Sequence, residues 1–263
     1  MANAWFLKPL PIVGALAAGS SLGEPMYVAN DYAGVVWRSS DTGGVDLVID
    51  LGADVVVDGL LLFGCSGLGA DAVLQVSAAR AATGPSGAYD WVDAAVPALA
   101  GAVAPTSGRT VVIWEAPAAP PPAARYYRLR FGGLGASPVT IARVVIGKRI
   151  LLERNFGYGA AFGVRDLGSL DFSARGVMLR RRGAKLRTVG LTFSNVRKDE
   201  VEATVQPLLE QLGNTEMVGL VVDPAADAQR QNRCYFGPLI GDLGTTRRNA
   251  VAYEAKANLV SIF

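Results

Sequence analysis

Short segments in which apolar and polar residues alternate follow one another through the first half of the chain. Residues 125–131 (RYYRLRF) have the two-residue period of a half-buried strand. Apolar runs predict further strands over residues 45–50, 55–63, 73–78, 110–114 and 144–147. The prolines of residues 116–124 exclude a helix there and predict an extended connection. The first half is therefore predicted to be a β unit of short strands.

One helix is predicted in the second half, over residues 195–212. Its apolar stripe, at spacings of three and four, consists of Val201, Val205, Leu208, Leu209 and Leu212. Ser194 or Asn195 is the expected N-cap, and Gly213 is the expected end. Pro207 should kink or shorten the helix, because proline has no N–H to donate.

The segments on either side of this helix are predicted to be strands. Residues 186–193 alternate apolar with polar or small side chains, after a turn near Gly183. Residues 217–222 form an apolar run that enters a turn, and residues 250–260 are a closing strand. The second half is therefore mainly β, with one flanking helix.

Composition supports a β protein with two domains. The 263 residues are 51% hydrophobic and 18% charged, and include 31 Gly and 14 Pro. Residues 1–147 hold 8 Lys/Arg and 11 Asp/Glu, whereas residues 148–263 hold 17 and 12. Net charges of −3 and +5 favour two domains, 1–147 and 148–263, with different partners. The basic excess is too small to indicate specific nucleic-acid binding.

Candidate catalytic chemistry is sparse. The chain has no histidine, which removes the commonest general base and zinc ligand. The acidic residues stand singly in turn-like settings, so we expect no enzyme activity, no metal and no cofactor. Cys65 and Cys234 are expected to be free buried thiols. Glu24, Asn30 and Asp31 offer oxygens for calcium but follow no recognised ligand spacing.

The order of several segments resembles the discoidin or galactose-binding-like β-sandwich over residues 25–147. The segments are Trp37-Arg38-Ser39, the Asp-Leu-Gly at 50–52, residues 57–64 (VDGLLLFG), residues 125–131 and residues 139–147 (VTIARVVIG). The resemblance implies a jelly-roll fold that carries a carbohydrate-binding-like surface.

Three aromatic residues in loop-like sequence are candidates for ligand binding. Tyr32, Tyr89 and Trp91 could each offer a ring face on which a sugar stacks. Packing inside the protein is the alternative for each of them. The position of Trp37 within the resemblance favours a buried role for that residue over a sugar platform.

The second half resembles the tube-like domain of phage tail-tip proteins over residues 165–263. The resemblance rests on a strand, a helix, a strand that ends in Val-Asp-Pro at 222–224, a polar loop at 227–233, and Tyr235-Phe236-Gly237. In that family a β-sandwich or barrel with one flanking helix oligomerises into a ring continuous with the tail tube. The resemblance implies a distal or minor tail protein of a long-tailed phage or gene-transfer particle, located in the virion tail tip.

Arginines in the second half are candidates for the assembly surface of such a ring. They are Arg180, Arg181, Arg182, Arg247 and Arg248. They would face acidic neighbours or the tube lumen, and simple solvation is the alternative. The implied partners are further copies of the chain in a six-fold or three-fold ring and other tail proteins (tube, hub or tape measure). A host surface glycan is an optional partner.

A different function class stays open on the sequence alone. The chain could be a secreted or surface carbohydrate-binding module without catalysis, which would need an export signal. Residues 11–20 resemble a short signal-peptide core, with Ala15-Leu16-Ala17 as a cleavage mimic. Pro9 and Pro11 interrupt the apolar sequence there, and it is too short to cross a bilayer, so we expect a structural arm and no membrane insertion.

Overall fold

The chain is mainly β, as predicted. The computed structural model describes residues 3–99, 110–134, 137–249 and 251–263. The strands are β1 (Trp5–Leu7), β2 (Gly14–Ala17), β3 (Ser20–Leu22), β4 (Trp37–Ser39), β5 (Val45–Val55), β6 (Gly59–Cys65), β7 (Val73–Ala79), β8 (Trp91–Val92), β9 (Val96–Pro97), β10 (Thr110–Glu115), β11 (Ala124–Gly132), β12 (Thr140–Ile141), β13 (Arg143–Gly147), β14 (Arg149–Leu151), β15 (Ala161–Asp166), β16 (Ser169–Phe172), β17 (Met178–Arg181), β18 (Lys185–Arg197), β19 (Met217–Val221), β20 (Cys234–Pro238), β21 (Thr245–Arg247) and β22 (Ala252–Val260). The helical segments are α1 (Lys198–Glu200), a π-helical turn (Val201–Val205), α2 (Gln206–Leu212) and two 3₁₀ turns (Pro25–Ala29 and Arg230–Arg233).

Internal contacts divide the chain into two compact units. The first unit contains Met1–Leu151 and Gly219–Cys234, and the second contains Leu152–Val218 and Tyr235–Phe263. This division differs from the expected one, 1–147 and 148–263, chiefly in the segment Gly219–Cys234. That segment joins the first unit because Gly219 and Val221 pair with Leu7 and Trp5 of β1. Pairing between such distant strands leaves no local pattern in the sequence.

The first unit is the predicted β-sandwich. One antiparallel sheet has the strand order β2-β5-β11-β7-β8, and another has the order β10-β6-β13. Alternate residues of β5 point into the core, whereas all seven residues of β6 are buried. Side chains of both sheets share one apolar cluster, which includes Leu47, Leu62, Leu129 and Ile146. Burial of this cluster is the main source of the stability of the unit.

Two predictions about residues of the first unit have clear outcomes. Trp37 is fully buried, and its Nε1 donates to Ser20 Oγ at 2.7 Å, which confirms the buried role. The prediction of one strand over residues 55–63 was wrong at its start. Val55 ends β5, because the ladder with β11 continues past a bulge to Ala124, and β6 begins only at Gly59.

The second unit is built on an antiparallel sheet with the strand order β15-β18-β22-β21. Its buried apolar residues include Val189, Leu191, Phe193 and Leu259. β16 and β17 form a separate two-stranded hairpin. Ala250, the first residue of the predicted closing strand, lies outside the described residues, and β22 begins at Ala252.

The predicted helix begins later than expected and is irregular. Ser194 and Asn195 are not its caps, because both lie in β18, where a bulge precedes renewed pairing of Val196 with Tyr253. The π-helical turn separates α1 from α2, and Pro207 lies in the first turn of α2. Gly213 ends the helix with a positive φ of 51°, as predicted. Within the described residues, no helix has the length and apolar character needed to cross a bilayer.

Candidate functional site

The three predicted aromatic ligand residues lie at two different edges of the β2-β5-β11-β7-β8 sheet. Trp91 belongs to β8 at one edge, and Tyr89 comes two residues before it. Tyr32 follows the 3₁₀ turn Pro25–Ala29, which contacts β2 at the opposite edge. The fold therefore brings Tyr89 and Trp91 together and places Tyr32 elsewhere.

Tyr89 is half-buried, and one of its faces is already occupied. The guanidinium carbon of Arg128 lies 4.1 Å from the ring centroid, and Arg128 Nη2 donates to Ser77 Oγ at 3.2 Å. The Tyr89 hydroxyl donates to the carbonyl of Pro85 at 2.9 Å, and burial raises the pKa of this tyrosine. A sugar ring could stack on Tyr89 only on the face opposite Arg128.

Trp91 is held by core contacts. Its ring meets that of Trp114 edge to face, with centroids 6.2 Å apart and an interplanar angle of 70°. Trp114 Nε1 in turn donates to Asp93 Oδ2 at 2.7 Å. Trp91 is partly buried against the apolar cluster, so packing accounts for most of its surface.

Tyr32 is the most exposed of the three, with 73% of its surface accessible. Its loop is nonetheless fixed, because its backbone N–H donates to Asn30 Oδ1 at 2.8 Å. Arg143 Nε lies 3.0 Å from Asp31 Oδ1, and burial lowers the pKa of this arginine. Tyr27, in the adjacent 3₁₀ turn, is 42% exposed. A rigid loop thus presents Tyr32 to solvent.

Two of the three residues considered for calcium, Asn30 and Asp31, use their side-chain oxygens in other contacts. Asn30 Oδ1 accepts from the backbone of Tyr32, and Asp31 pairs with Arg143. In the part of the chain that the structure describes, no group of three or more His, Cys, Asp or Glu residues is placed to hold a metal ion. Cys65 and Cys234 are buried free thiols, in agreement with the prediction.

A hairpin of the second unit, which we call the arm (residues 167–183, with β16 and β17), has two strands that are exposed at every residue. Leu170 pairs with Arg180 and Phe172 pairs with Met178, so these four side chains share one face. Leu170, Phe172 and Met178 are 54 to 62% exposed. The arm therefore presents an unpartnered apolar face with an arginine at its end.

The base of the arm is tightly fixed. Leu167 N donates to the carbonyl of Ala184 at 2.9 Å, and Gly168 N donates to Asp166 Oδ1 at 2.7 Å. The backbones of Gly168 and Gly183 approach so closely that a Cβ on Gly183 would overlap Leu167 and Gly168. These contacts set the direction in which the arm leaves the sheet.

The predicted assembly arginines fall into two groups. Arg180, Arg181 and Arg182 lie on the arm, all exposed, and form no ion pair with the described residues. Arg247 Nε donates to the Asn249 carbonyl at 3.1 Å, at the edge strand β21. Arg248 Nη2 lies 2.6 Å from Glu254 Oε2 and holds the pKa of that carboxyl below its usual value.

A groove that sequence analysis did not identify lies in the same unit. It has a volume of about 600 Å³ and runs between α2 with the residues that follow it and the loop 241–245. Leu209 and Leu243 supply apolar surface, and Glu210 and Asp242 supply exposed carboxylates. Its two walls are about 30 residues apart in sequence, so no local motif could indicate it.

Comparison with solved structures finds similarity over about half of the chain. The family 32 carbohydrate-binding module of C. perfringens NanJ in complex with galactose has 13% identity, covers 53% of this chain and 97% of its own, and gives a TM-score of 0.41. Chitosan-binding module 1 of a chitosanase/glucanase from Paenibacillus sp. IK-5 has 12% identity, covers 53% of this chain and 98% of its own, and gives a TM-score of 0.40. A Streptococcus pneumoniae fucose-binding module, SpX-3, has 8% identity, covers 54% of this chain and 98% of its own, and gives a TM-score of 0.38. No protein-family model and no curated protein matches the sequence.

Proposed function

We propose that this chain is a non-catalytic structural protein of a phage tail tip, which forms a ring continuous with the tail tube. The first unit would supply a carbohydrate-binding-like domain, and the second unit would form the ring. The observation that carries the proposal is the exposed apolar arm. The other support is the resemblance of residues 165–263 to tube-like domains.

The arm needs a partner for physical reasons. An isolated two-stranded hairpin is marginally stable in water, and this one has no side chain buried on either face. Exposed apolar faces of this kind mark interaction sites. A partner that covers Leu170, Phe172 and Met178 would remove their surface from water and stabilise the hairpin.

Among the described residues, the sheet of the second unit also has two edges that pair with no further strand. β15 and β21 are the outer strands, and all six residues of β15 are exposed. Open edges present unpaired backbone groups that a monomer must protect. Because the two edges differ, pairing between copies would be head-to-tail, and such a contact generates a ring when the rotation from one copy to the next closes.

Sedimentation velocity and electron microscopy of the purified full chain test the proposal. We expect closed rings of three or six copies. In the phage or gene-transfer particle that contains this chain, an antibody to the chain should label the same ring at the tail tip. A variant in which Leu170, Phe172 and Met178 are all changed to Ser should dissociate. A monodisperse monomer at the highest attainable concentration, with no tail partner, would overturn the proposal.

The alternative, a carbohydrate-binding module, is favoured by one observation, the rigid exposed loop of Tyr32. We predict that any glycan binding by the full chain is weak and is lost on Tyr32→Ala. Tyr89→Ala should have a smaller effect, since Arg128 already covers one ring face. Titration against a glycan panel measures this, with Tyr158→Ala as an exposed aromatic control in the other unit. Tight binding that survives Tyr32→Ala, Tyr89→Ala and Trp91→Ala together would exclude these residues.

A further inference from the structure

Starting from the proposed head-to-tail ring, we infer that the arm of one copy docks into the groove of the next copy, between α2 and loop 241–245. The occupant is thus a second copy of this chain. The groove and the arm lie in the same unit. Within one copy the groove does not cover the arm, because the apolar face of the arm is exposed to solvent.

Strand direction brings the two surfaces together. All neighbours in the β15-β18-β22-β21 sheet are antiparallel, so β15 and β21 run in opposite directions. If β15 of one copy continues this alternation beside β21 of the next, the end of β15 at Asp166 lies at the start of β21 at Thr245. The arm begins directly after Asp166, and the groove is bounded by loop 241–245 directly before β21. Pairing of these edges would therefore place the arm of one copy beside the groove of the next.

The apolar surfaces match in kind. The arm face carries Leu170, Phe172 and Met178, and the groove contains Leu209 and Leu243. The lining of the groove also includes polar residues, among them Asn214 and Thr245. Protein interfaces combine apolar and polar contacts in this way.

The charges are complementary as well. The arm carries four arginines and one aspartate. The described lining of the groove has Glu210 and Asp242 and no lysine or arginine. Neither carboxylate is in an ion pair within the described part of the chain. Arg180 shares the apolar face of the arm, so it would enter the groove together with the apolar side chains.

Charge reversal tests the contact in the full chain. Arg180→Glu should weaken ring association about tenfold in sedimentation velocity, as should Glu210→Arg with Asp242→Arg. The three changes combined should restore association, because the signs are exchanged. Arg154→Glu is the matched control, since it makes the same charge change at an exposed site of this unit outside the arm. It should leave association within about threefold of the wild type.

Covalent trapping gives an independent readout. The double variant Phe172→Cys and Leu243→Cys should give disulfide-linked oligomers on mild oxidation, whereas each single variant should not. Rings that persist while all groove variants associate normally would overturn the arm–groove contact and leave the ring intact. A wild-type chain that remains monomeric would overturn the ring itself, so the two failures can be told apart.

Discussion

At the scale of single residues, arginine–carboxylate pairs fix the strands of the first unit. Arg125 Nε and Nη2 donate to the two oxygens of Asp50 at 2.7 and 2.9 Å, and the Gly52 N–H donates to Asp50 Oδ1 at 2.7 Å. Gly52 has a φ of 79°, which an L side chain rarely adopts. Asp50 therefore joins β11 to β5 and also holds the strained backbone at Gly52. The Asp-Leu-Gly segment was visible in the sequence, but its arginine partner 75 residues away was not.

Asp50→Asn should destabilise the chain at neutral pH. The hydrogen bond from Arg125 lowers the pKa of Asp50 below its usual value, so the folded state binds its proton less readily than the unfolded state. The stabilisation is fully present above that unfolded value and is lost as pH falls through the lower folded pKa. We expect a loss of about 1 kcal/mol in the free energy of unfolding at pH 7. The loss is modest because water partly screens the Arg125–Asp50 pair.

Urea unfolding of the full chain at pH 7 and at pH 3 measures this effect. The difference between Asp50→Asn and wild type should shrink at the lower pH. Asp41→Asn is the matched control, because Asp41 is exposed and its carboxylate forms no ion pair within the described residues. Equal losses at both pH values would mean that the ionised carboxylate is not the cause.

At the scale of elements, alternation in sequence predicted strands well where one face is buried. It worked for β11, and apolar runs predicted β5 and β7; inward residues of all three strands build the core. It failed to show that β16 and β17 are exposed on both faces, because an exposed apolar side chain looks the same in sequence as a core residue. The helix start was missed since the ladder of β18 with β22 continues to Arg197 and overrides the capping signal of Ser194 and Asn195.

Gly183→Ala should displace the arm without unfolding the chain. A Cβ there would overlap the backbone of Leu167 and Gly168, which cannot move as a flexible side chain can. The circular dichroism spectrum should be unchanged while ring association weakens by about tenfold or more. Gly157→Ala is the control, because its Cβ would meet Thr192 O at an ordinary 3.8 Å. Normal assembly of Gly183→Ala would show that the direction of the arm is unimportant.

At the scale of the whole molecule, the sequence predicted two domains divided at residue 147, whereas internal contacts give two compact units and place Gly219–Cys234 in the first. Three of the five candidate assembly arginines lie on the exposed arm, and their role in assembly stays a prediction. The groove could not be predicted, because its walls come from α2 and a distant loop. The proposed assembly contact therefore uses surfaces that only the folded second unit creates.

Ring association should weaken as salt concentration rises. Arg180 and its neighbours would face Glu210 and Asp242 across the contact, and ionic pairs near a surface are screened over about 3 Å at 1 M salt, compared with about 10 Å at 0.1 M. Sedimentation of the full chain in sodium chloride from about 0.05 M to about 0.5 M should therefore show progressive dissociation. Arg180→Glu should have a flatter or inverted dependence on salt concentration, because it replaces attraction with repulsion.

Sodium sulfate at matched ionic strength should dissociate the ring less than sodium chloride does, since it strengthens burial of Leu170, Phe172 and Met178. An association constant that is independent of both salts would contradict a contact that combines charge with apolar burial.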